Sequence, residues 1–183
     1  MRHRLVLALS VLSLLAWPGA AVAQHRQPHA GSIAIGADAG VYVPPEEFHA
    51  GFNPDVFAEF HFTGRIALRG TVAYTAPNFD FDTAEIRQVR AVADLVINWE
   101  TGLWHPFVNL GFGGYWLEPR SNNQSAGSWQ TKGGISLGGG LEYFVRPKIA
   151  FKFETTYHYV PQGDLPGRPQ GLAATVGIKK YFF

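Results

Sequence analysis

Hydrophobic and polar side chains alternate at a period of two through most of the chain beyond residue 31. In residues 32–43 one parity carries Ile, Ala and Val, whereas the other carries Ser, Ala, Gly, Asp and Tyr. Because successive side chains of a β-strand point to opposite faces, this alternation predicts a strand with one apolar face. The same pattern predicts an all-β chain of eight strands, over residues 32–43, 55–63, 65–75, 89–99, 107–116, 134–145, 149–159 and 171–183.

The connections between these runs alternate in length. Those after the second, fourth and sixth runs are short, around Gly64, Thr101-Gly102 and Pro147, and the others are longer and rich in Pro, Asn, Gly and Ser. An even strand number with short turns on one side and long loops on the other is typical of bacterial outer-membrane barrels. We therefore predict an eight-stranded antiparallel up-and-down transmembrane β-barrel over residues 31–183, with short periplasmic turns and longer extracellular loops.

A soluble barrel or sandwich also alternates, but its apolar parity packs inward. Glycines help to separate the two cases, because they concentrate on the polar parity while bulky residues occupy the other. A narrow eight-stranded lumen has room mainly for small side chains, whereas the lipid face sets no size limit. The glycines on the polar parity are Gly36, Gly40, Gly111, Gly113, Gly138 and Gly140.

Aromatic residues of the apolar parity support a membrane location. Threading the chain up and down places them in two belts, at the height where amphipathic rings prefer lipid headgroups. The belt near the long loops contains Tyr74, Trp116, Tyr157 and Tyr159, and the belt near the short turns contains Trp99, Tyr143 and residues 181–183.

The polar parity also carries charges of both signs, which predicts a lumen charge network. An unpaired ion in a narrow, poorly hydrated interior loses several kcal/mol of solvation, so opposite charges there are expected to pair. The network either gates a thin polar pathway or plugs the interior, and we favour the plug because eight strands leave little space. Its members are Asp38, Glu59, Arg69, Arg90, Asp94, Glu142, Lys152 and Glu154, with His61, His158 and Lys179 as further candidates on the same face.

The first 23 residues have the features of a secretory signal peptide. Arg2 and Arg4 precede an apolar run of about twelve residues and an Ala21-Val22-Ala23 cleavage site. Cleavage leaves a flexible tail over residues 24–30, and it reduces the 15 basic residues to 13 against 14 acidic ones, a net charge of −1. That balance does not favour nucleic acid. The chain has no cysteine, which excludes disulfides and a thiol nucleophile.

Three segments resemble the family of small eight-stranded outer-membrane barrels that includes the OmpA membrane domain and OmpX. They are the fifth run with its preceding His-Pro (residues 105–115), the Gly-rich sixth run (138–147) and the seventh run (151–157). The resemblance implies a structural or cell-surface interaction protein with no cofactor. It also implies contact with outer-membrane lipid and lipopolysaccharide, with the barrel-assembly machinery during insertion, and with an extracellular ligand through the loops.

The C-terminus matches the family's assembly signal in part. Tyr181, Phe182 and Phe183 supply the terminal aromatics, but Lys179 falls on the parity of Tyr181 and Phe183. Either a bulge shifts the register or Phe182 is the residue that faces lipid.

Two other functions remain as alternatives, a narrow ion or small-solute channel and a lipid A-modifying barrel enzyme. Against the enzyme, no His is followed by Ser two residues later, which is the pattern of the deacylase kind. His25 and His29 lie in a Pro-containing tail, so their spacing does not predict a metal site. Surface recognition is expected from the long loops, which carry the apolar residues Phe48, Phe52, Phe79, Phe81 and Trp129.

Overall fold

The computed structural model describes residues 28–44, 50–75, 85–121, 124–125, 127–161 and 170–183. The predicted signal peptide, most of the predicted tail and the loop residues Phe48, Phe79 and Phe81 lie outside these ranges. Among the described residues, no helix is both long and apolar enough to cross a membrane.

The described residues form one antiparallel sheet that closes on itself, because the last strand pairs with the first. Eight long strands make the wall, as the alternation predicts. Two short strands accompany them: β2 pairs with the end of β1, and β7 pairs with the end of β6. The strands are β1 (Ile33–Val43), β2 (Gly51–Phe52), β3 (Asp55–His61), β4 (Ile66–Thr75), β5 (Glu85–Asn98), β6 (Trp104–Ser121), β7 (Gln124–Ser125), β8 (Gln130–Arg146), β9 (Ile149–Tyr159) and β10 (Gly171–Phe182).

The register around the barrel is regular except for one shift in the β8–β9 pairing, between Phe144 and Arg146. A path of paired residues starts at Ile33 and returns to β1 at Val43, ten residues farther along. This stagger tilts the strands and places residues of distant strands at one height in the lumen. The path runs through Ile33, Phe60, Leu68, Leu95, Leu110, Leu137, Tyr157, Leu172 and Val43.

The turns that join β3 to β4, β5 to β6 and β8 to β9 are short, as predicted. In the second of these turns Gly102 has a φ of 76°, a left-handed conformation that a residue without a Cβ adopts at little cost. At the opposite end β5, β6 and β8 extend beyond the predicted runs. In these extensions the strands remain hydrogen-bonded in hairpins, although the sequence there does not alternate between apolar and polar residues.

The two faces of the wall differ as a membrane barrel requires. Large apolar side chains face outward and are exposed, whereas the inward positions are buried and mostly polar or small. Several inward glycines lie directly beneath a large side chain of a neighbouring strand. A Cβ on Gly36 would overlap Cζ of Phe57, and one on Gly140 would lie 2.7 Å from Cζ of Phe107. Several of the large lumen side chains therefore occupy space that a glycine on a neighbouring strand leaves open.

Candidate functional site: the charged lumen

All eight predicted lumen charges lie inward. Seven of these residues are buried, and the side chain of Glu154 is 8% exposed. Their side chains are held by strand register, since Glu59 lies directly opposite Arg69 and Glu142 directly opposite Lys152. The structure brings six of the eight into one ion-pair network and leaves Arg90 and Asp94 outside it.

Arg69 is the centre of the ion-pair network. Its Nε donates to Oε1 of Glu59 at 2.6 Å, and its Nη1 donates to Oε2 of Glu154 at 2.8 Å. The rings of Phe57 and Phe107 lie 5.2 and 5.1 Å from its guanidinium carbon. Two carboxylates and two ring faces thus surround one buried cation, an arrangement that favours a guanidinium over an ammonium group.

The bond from Arg69 to Glu154 crosses the lumen. β4 and β9 are separated by four steps in the strand order, which is half of an eight-stranded barrel. The two residues are 85 positions apart in sequence. A charge-assisted contact therefore spans the interior between opposite walls at this height.

Lys152 links Asp38 on β1 to the ion-pair network. Its Nζ lies 2.6 Å from Oδ2 of Asp38 and also donates to Glu154. The ammonium is 4.0 Å from the centroid of the Phe57 ring. Gly177 stands opposite Asp38 in the register, and a Cβ there would overlap Oδ1 of Asp38. The acid therefore has room because β10 carries a glycine at that point.

Lys179 and Tyr181 complete the network near the short turns. Lys179 donates to Oε1 of Glu142 at 2.7 Å and contacts Glu59, and the hydroxyl of Tyr181 donates to Oε2 of Glu142 at 2.5 Å. His61 lies 3.4 Å from Glu59. The ion-pair network thus consists of seven residues, Asp38, Glu59, Arg69, Glu142, Lys152, Glu154 and Lys179.

Asp94 and Arg90 have neutral partners instead. Oδ1 of Asp94 accepts from Ser136 at 2.7 Å and, more weakly, from Asn109 at 3.4 Å. Arg90 donates to Oδ1 of Asn53 at 2.6 Å and to the hydroxyl of Thr75 at 3.1 Å. The expectation that every lumen charge pairs with an opposite charge is wrong for these two within the described residues. Their charges are instead met by neutral hydrogen-bonding groups.

We call Arg90, Asn53 and Thr75 the Arg90 clasp, which lies toward the long loops. The hydroxyl of Thr75 donates to Oδ1 of Asn53 at 3.1 Å, so all three members are bonded to one another. Nearby, the hydroxyl of Tyr115 and Nδ1 of His158 are 2.9 Å apart. His158 is buried in the lumen, so it is not placed to reach a lipid substrate outside the wall.

A small cavity of about 40 Å³ separates the Arg90 clasp from Arg69. Buried polar atoms without a protein partner include Oδ1 of Asp55, Oδ1 of Asn109 and Nη2 of Arg69, and all three residues line this cavity. The volume is sufficient for one or a few water molecules, which would satisfy such atoms. The lumen thus contains polar space, but the network bounds it.

Sequence reasoning missed several members of the site. Asn53 lies in the break between β2 and β3, where strand alternation gives no signal. Asn109 and Ser136 lie on the polar parity and were detectable by their position. Lys179 was a candidate, and its membership follows from the register of β10, in which Phe182 faces outward. Among the described residues no group of His, Asp and Glu could hold a metal ion.

The six predicted belt residues Tyr74, Trp99, Trp116, Tyr143, Tyr157 and Tyr159 all face outward and are exposed or partly exposed. Trp104, which the sequence analysis omitted, packs on Tyr143 with ring centroids 4.5 Å apart near the short turns. The prediction that Tyr181 belongs to the outer belt is wrong, because its ring is buried in the lumen beside Phe144. The assembly role of Tyr181, Phe182 and Phe183 stays a prediction.

Comparisons with known proteins agree with this architecture. The model of the outer membrane protein beta-barrel domain matches residues 5–179. Among solved structures, Neisserial surface protein A (NspA) is 14% identical with a TM-score of 0.69, covering 84% of this chain and 97% of its own. OprG from Pseudomonas aeruginosa is 13% identical with a TM-score of 0.67, covering 86% and 98%.

Ail, the attachment invasion locus protein of Yersinia pestis, is 16% identical with a TM-score of 0.58, covering 83% of this chain and 99% of its own. No curated protein matches the sequence. The family model spans nearly the whole chain, and the closed eight-stranded wall is the fold of these neighbours. The chain therefore belongs to the outer membrane protein beta-barrel domain family and is a protein of the bacterial outer membrane.

Proposed function

We propose that this protein is a plugged outer-membrane barrel with a structural or cell-surface interaction role. The observation that carries the proposal is the contact of Arg69 with Glu154 between opposite walls of the lumen. A permeating ion would have to displace this contact and the two aromatic rings beside it. We therefore expect a barrel that conducts no ions in its ground state.

The energetics of the ion-pair network support a plug. Each carboxylate of the network has a Lys or Arg within bonding distance, and Arg69 is 1% exposed. Removing one member of a buried ion pair costs about 3–5 kcal/mol, because the partner charge is left uncompensated. Opening the lumen requires several such contacts to separate together. The closed arrangement is therefore strongly favoured over an open one.

The long loops and their exposed aromatic residues support the surface role. Long connections carried on a rigid barrel are free to vary and to bind partners. Phe52 and Trp129, at the long-loop end, are 54% and 46% exposed. Two structural neighbours are named as a surface protein and an attachment protein, and one structure of Ail holds the heparin analogue sucrose octasulfate. We extend surface interaction, and not that ligand, to this chain.

The partners follow from the same proposal. Outer-membrane lipid and lipopolysaccharide contact the apolar wall, the barrel-assembly machinery recognises the terminal aromatics during insertion, and an extracellular ligand binds the loops. We propose no nucleic-acid partner and no enzymatic activity. The inward position of His158 supports the absence of a lipid A-modifying site on the wall.

The cavity favours a second candidate, a narrow channel that prefers cations. The ion-pair network and the cavity lining together contain six carboxylates, with Asp55 among them, and four Lys or Arg side chains, which leaves two negative charges. Such an excess attracts cations into a low-dielectric passage. If the plug opens, we expect cations to carry the current.

Planar-bilayer recording tests the proposal. The refolded mature chain is first checked for a heat-modifiable band on cold SDS gels, which reports a closed barrel. We expect no discrete conductance from the wild type, and cation-selective steps from the double variant Arg69→Ala with Glu154→Ala, which removes the contact without leaving an unpaired charge. Arg65→Ala, an exposed cation in the β3–β4 turn, serves as the control.

Stepwise currents from the wild type would overturn the plug and support the channel. A silent double variant that still shows the heat-modifiable band would show that Arg69 and Glu154 do not close the lumen. A strain lacking the protein provides a physiological comparison. We expect normal uptake of small solutes in that strain and altered adhesion or envelope integrity.

A further inference from the structure

Three exposed cations cluster at the periplasmic rim where β8, β9 and β10 meet. Arg146 ends β8, Lys148 lies in the two-residue turn between β8 and β9, and Lys180 is near the end of β10. The register holds them together, because Ile149 pairs with Arg146 on one side and with Lys180 on the other. The cluster is thus a fixed feature of the wall.

Lys180 occupies a position that is otherwise apolar. It shares the lipid-facing parity of β10 with Ile178 and Phe182, which are 49% and 44% exposed. A lysine on this face is costly at the membrane midplane but costs about 0–1 kcal/mol near the interface. Its ammonium lies 5.3 Å from the centroid of the Phe182 ring, so the side chain bends toward the rim. This is the snorkelling conformation that places a charge at headgroup level.

The cluster lacks acidic partners in the described part of the chain. No Asp or Glu forms an ion pair with Arg146, Lys148 or Lys180 there. Lys148 donates to the main-chain oxygen of Phe183 at 2.8 Å, and its ammonium lies 5.0 Å from that ring. Even with one carboxylate counted at Phe183, the last residue of this chain, three cations leave an excess of positive charge.

The neighbouring acids are directed elsewhere. Glu142, on β8 above the cluster, is buried in the lumen and bonded to Lys179 and Tyr181. Glu100, in the turn between β5 and β6, lies by the β3–β4 turn, with Oε1 3.1 Å from the position of a Cβ on Gly64. The excess charge therefore faces the headgroups of the surrounding leaflet.

We propose that Arg146, Lys148 and Lys180 bind the phosphate of an anionic phospholipid in the periplasmic leaflet. An arginine fork and two ammonium groups are suited to phosphate oxygens. Phe182 and Phe151, both outward-facing, lie where the acyl chains of the same lipid would run. Each basic residue at a membrane surface attracts anionic lipid, and the attraction of a cluster increases with the number of its basic residues. This site is independent of whether the lumen is plugged.

Electron spin resonance of spin-labelled lipids tests the proposal. The full-length mature protein is refolded into phosphatidylcholine vesicles, and the association of labelled phosphatidylglycerol is compared with that of labelled phosphatidylcholine. We expect a preference for phosphatidylglycerol that falls at least about fivefold in the triple variant Arg146→Gln, Lys148→Gln, Lys180→Gln. Arg65→Gln, a cation on the same rim outside the cluster, is the matched control and should keep the preference.

If the triple variant does not fold, measurements on the wild type with added salt and added inorganic phosphate test the proposal instead. We expect the preference to weaken as salt is raised and to survive added inorganic phosphate, because acyl-chain contacts favour the lipid. An equal association of both lipids with the wild type would overturn the proposal, and would favour an acidic periplasmic protein as the partner. Equal losses in the triple variant and in Arg65→Gln, or displacement by inorganic phosphate, would overturn it as well.

Discussion

Arg69 and Arg90 are the same residue type, buried to a similar degree in one lumen, and yet they have different surroundings. Arg69 is 1% exposed and contacts the carboxylates of Glu59 and Glu154. Arg90 is 3% exposed and is held by the amide oxygen of Asn53 and the hydroxyl of Thr75, with the Tyr42 ring 5.5 Å from its guanidinium carbon.

The difference separates two ways of filling a narrow barrel. In the ion-pair network every charge depends on an opposite charge, so the loss of one member exposes another to a poorly solvating interior. In the Arg90 clasp the partners are neutral, so the loss of the arginine leaves groups that water can satisfy more cheaply. The cavity lies between the two regions and gives the clasp access to such water. We therefore expect substitutions in the ion-pair network to lower the free energy of unfolding more than substitutions in the Arg90 clasp.

Arg69→Met should have the largest effect. The substitution leaves Glu59 with Lys179 and Glu154 with Lys152, but it removes the contact that both acids share. We expect the free energy of unfolding to fall by about 3–5 kcal/mol, measured by urea titration of the protein folded in lipid vesicles.

Arg69→Lys is the control for charge alone. It should retain part of the stability because it keeps the positive charge, and lose part because lysine lacks the planar fork of the guanidinium. A loss below about 1 kcal/mol for Arg69→Met would contradict a central role for this residue.

Arg90→Met should have an intermediate effect. The neutral oxygens of Asn53 and Thr75 lose a charged donor but remain bonded to each other. We expect a loss of about 1–3 kcal/mol in the same titration, the usual cost of leaving buried polar groups unsatisfied. If Arg90→Met lowers the free energy of unfolding as much as Arg69→Met does, then the different surroundings of the two arginines do not affect stability.

Tyr115→Phe should have the smallest effect. It removes the hydroxyl that contacts Nδ1 of His158 and keeps the ring that covers Gly134. We expect a loss of about 0.5–1.5 kcal/mol, the net value of a neutral hydrogen bond. Tyr115→Ala provides the comparison, because it also removes the ring. Equal losses in the two variants would show that packing contributes nothing at this position.

The wall and the faces of its strands could be predicted from the sequence, because alternation is a local property. All eight predicted lumen residues face inward for that reason. The pairing of Arg69 with Glu154 could not be predicted, since it depends on the stagger of the closed sheet. The Arg90 clasp was equally hidden, because Asn53 stands between two strands. Tyr181 was misplaced because its parity resembles that of a lipid-facing aromatic until the register of β10 is known.

The glycines beneath the lumen side chains limit the order in which this sequence can change. Gly36 and Phe57, or Gly140 and Phe107, behave as a single unit with one large and one absent side chain. A substitution that enlarges the glycine first meets the ring and the neighbouring backbone, whereas one that shrinks the ring first leaves a void. Shrinking the ring alone does not make room, because a Cβ at Gly140 would still overlap the main-chain oxygen of Phe153, and one at Gly36 would still lie 2.6 Å from that of Ile178. Divergent barrels of this kind should therefore keep these glycines unless the neighbouring strand moves as well.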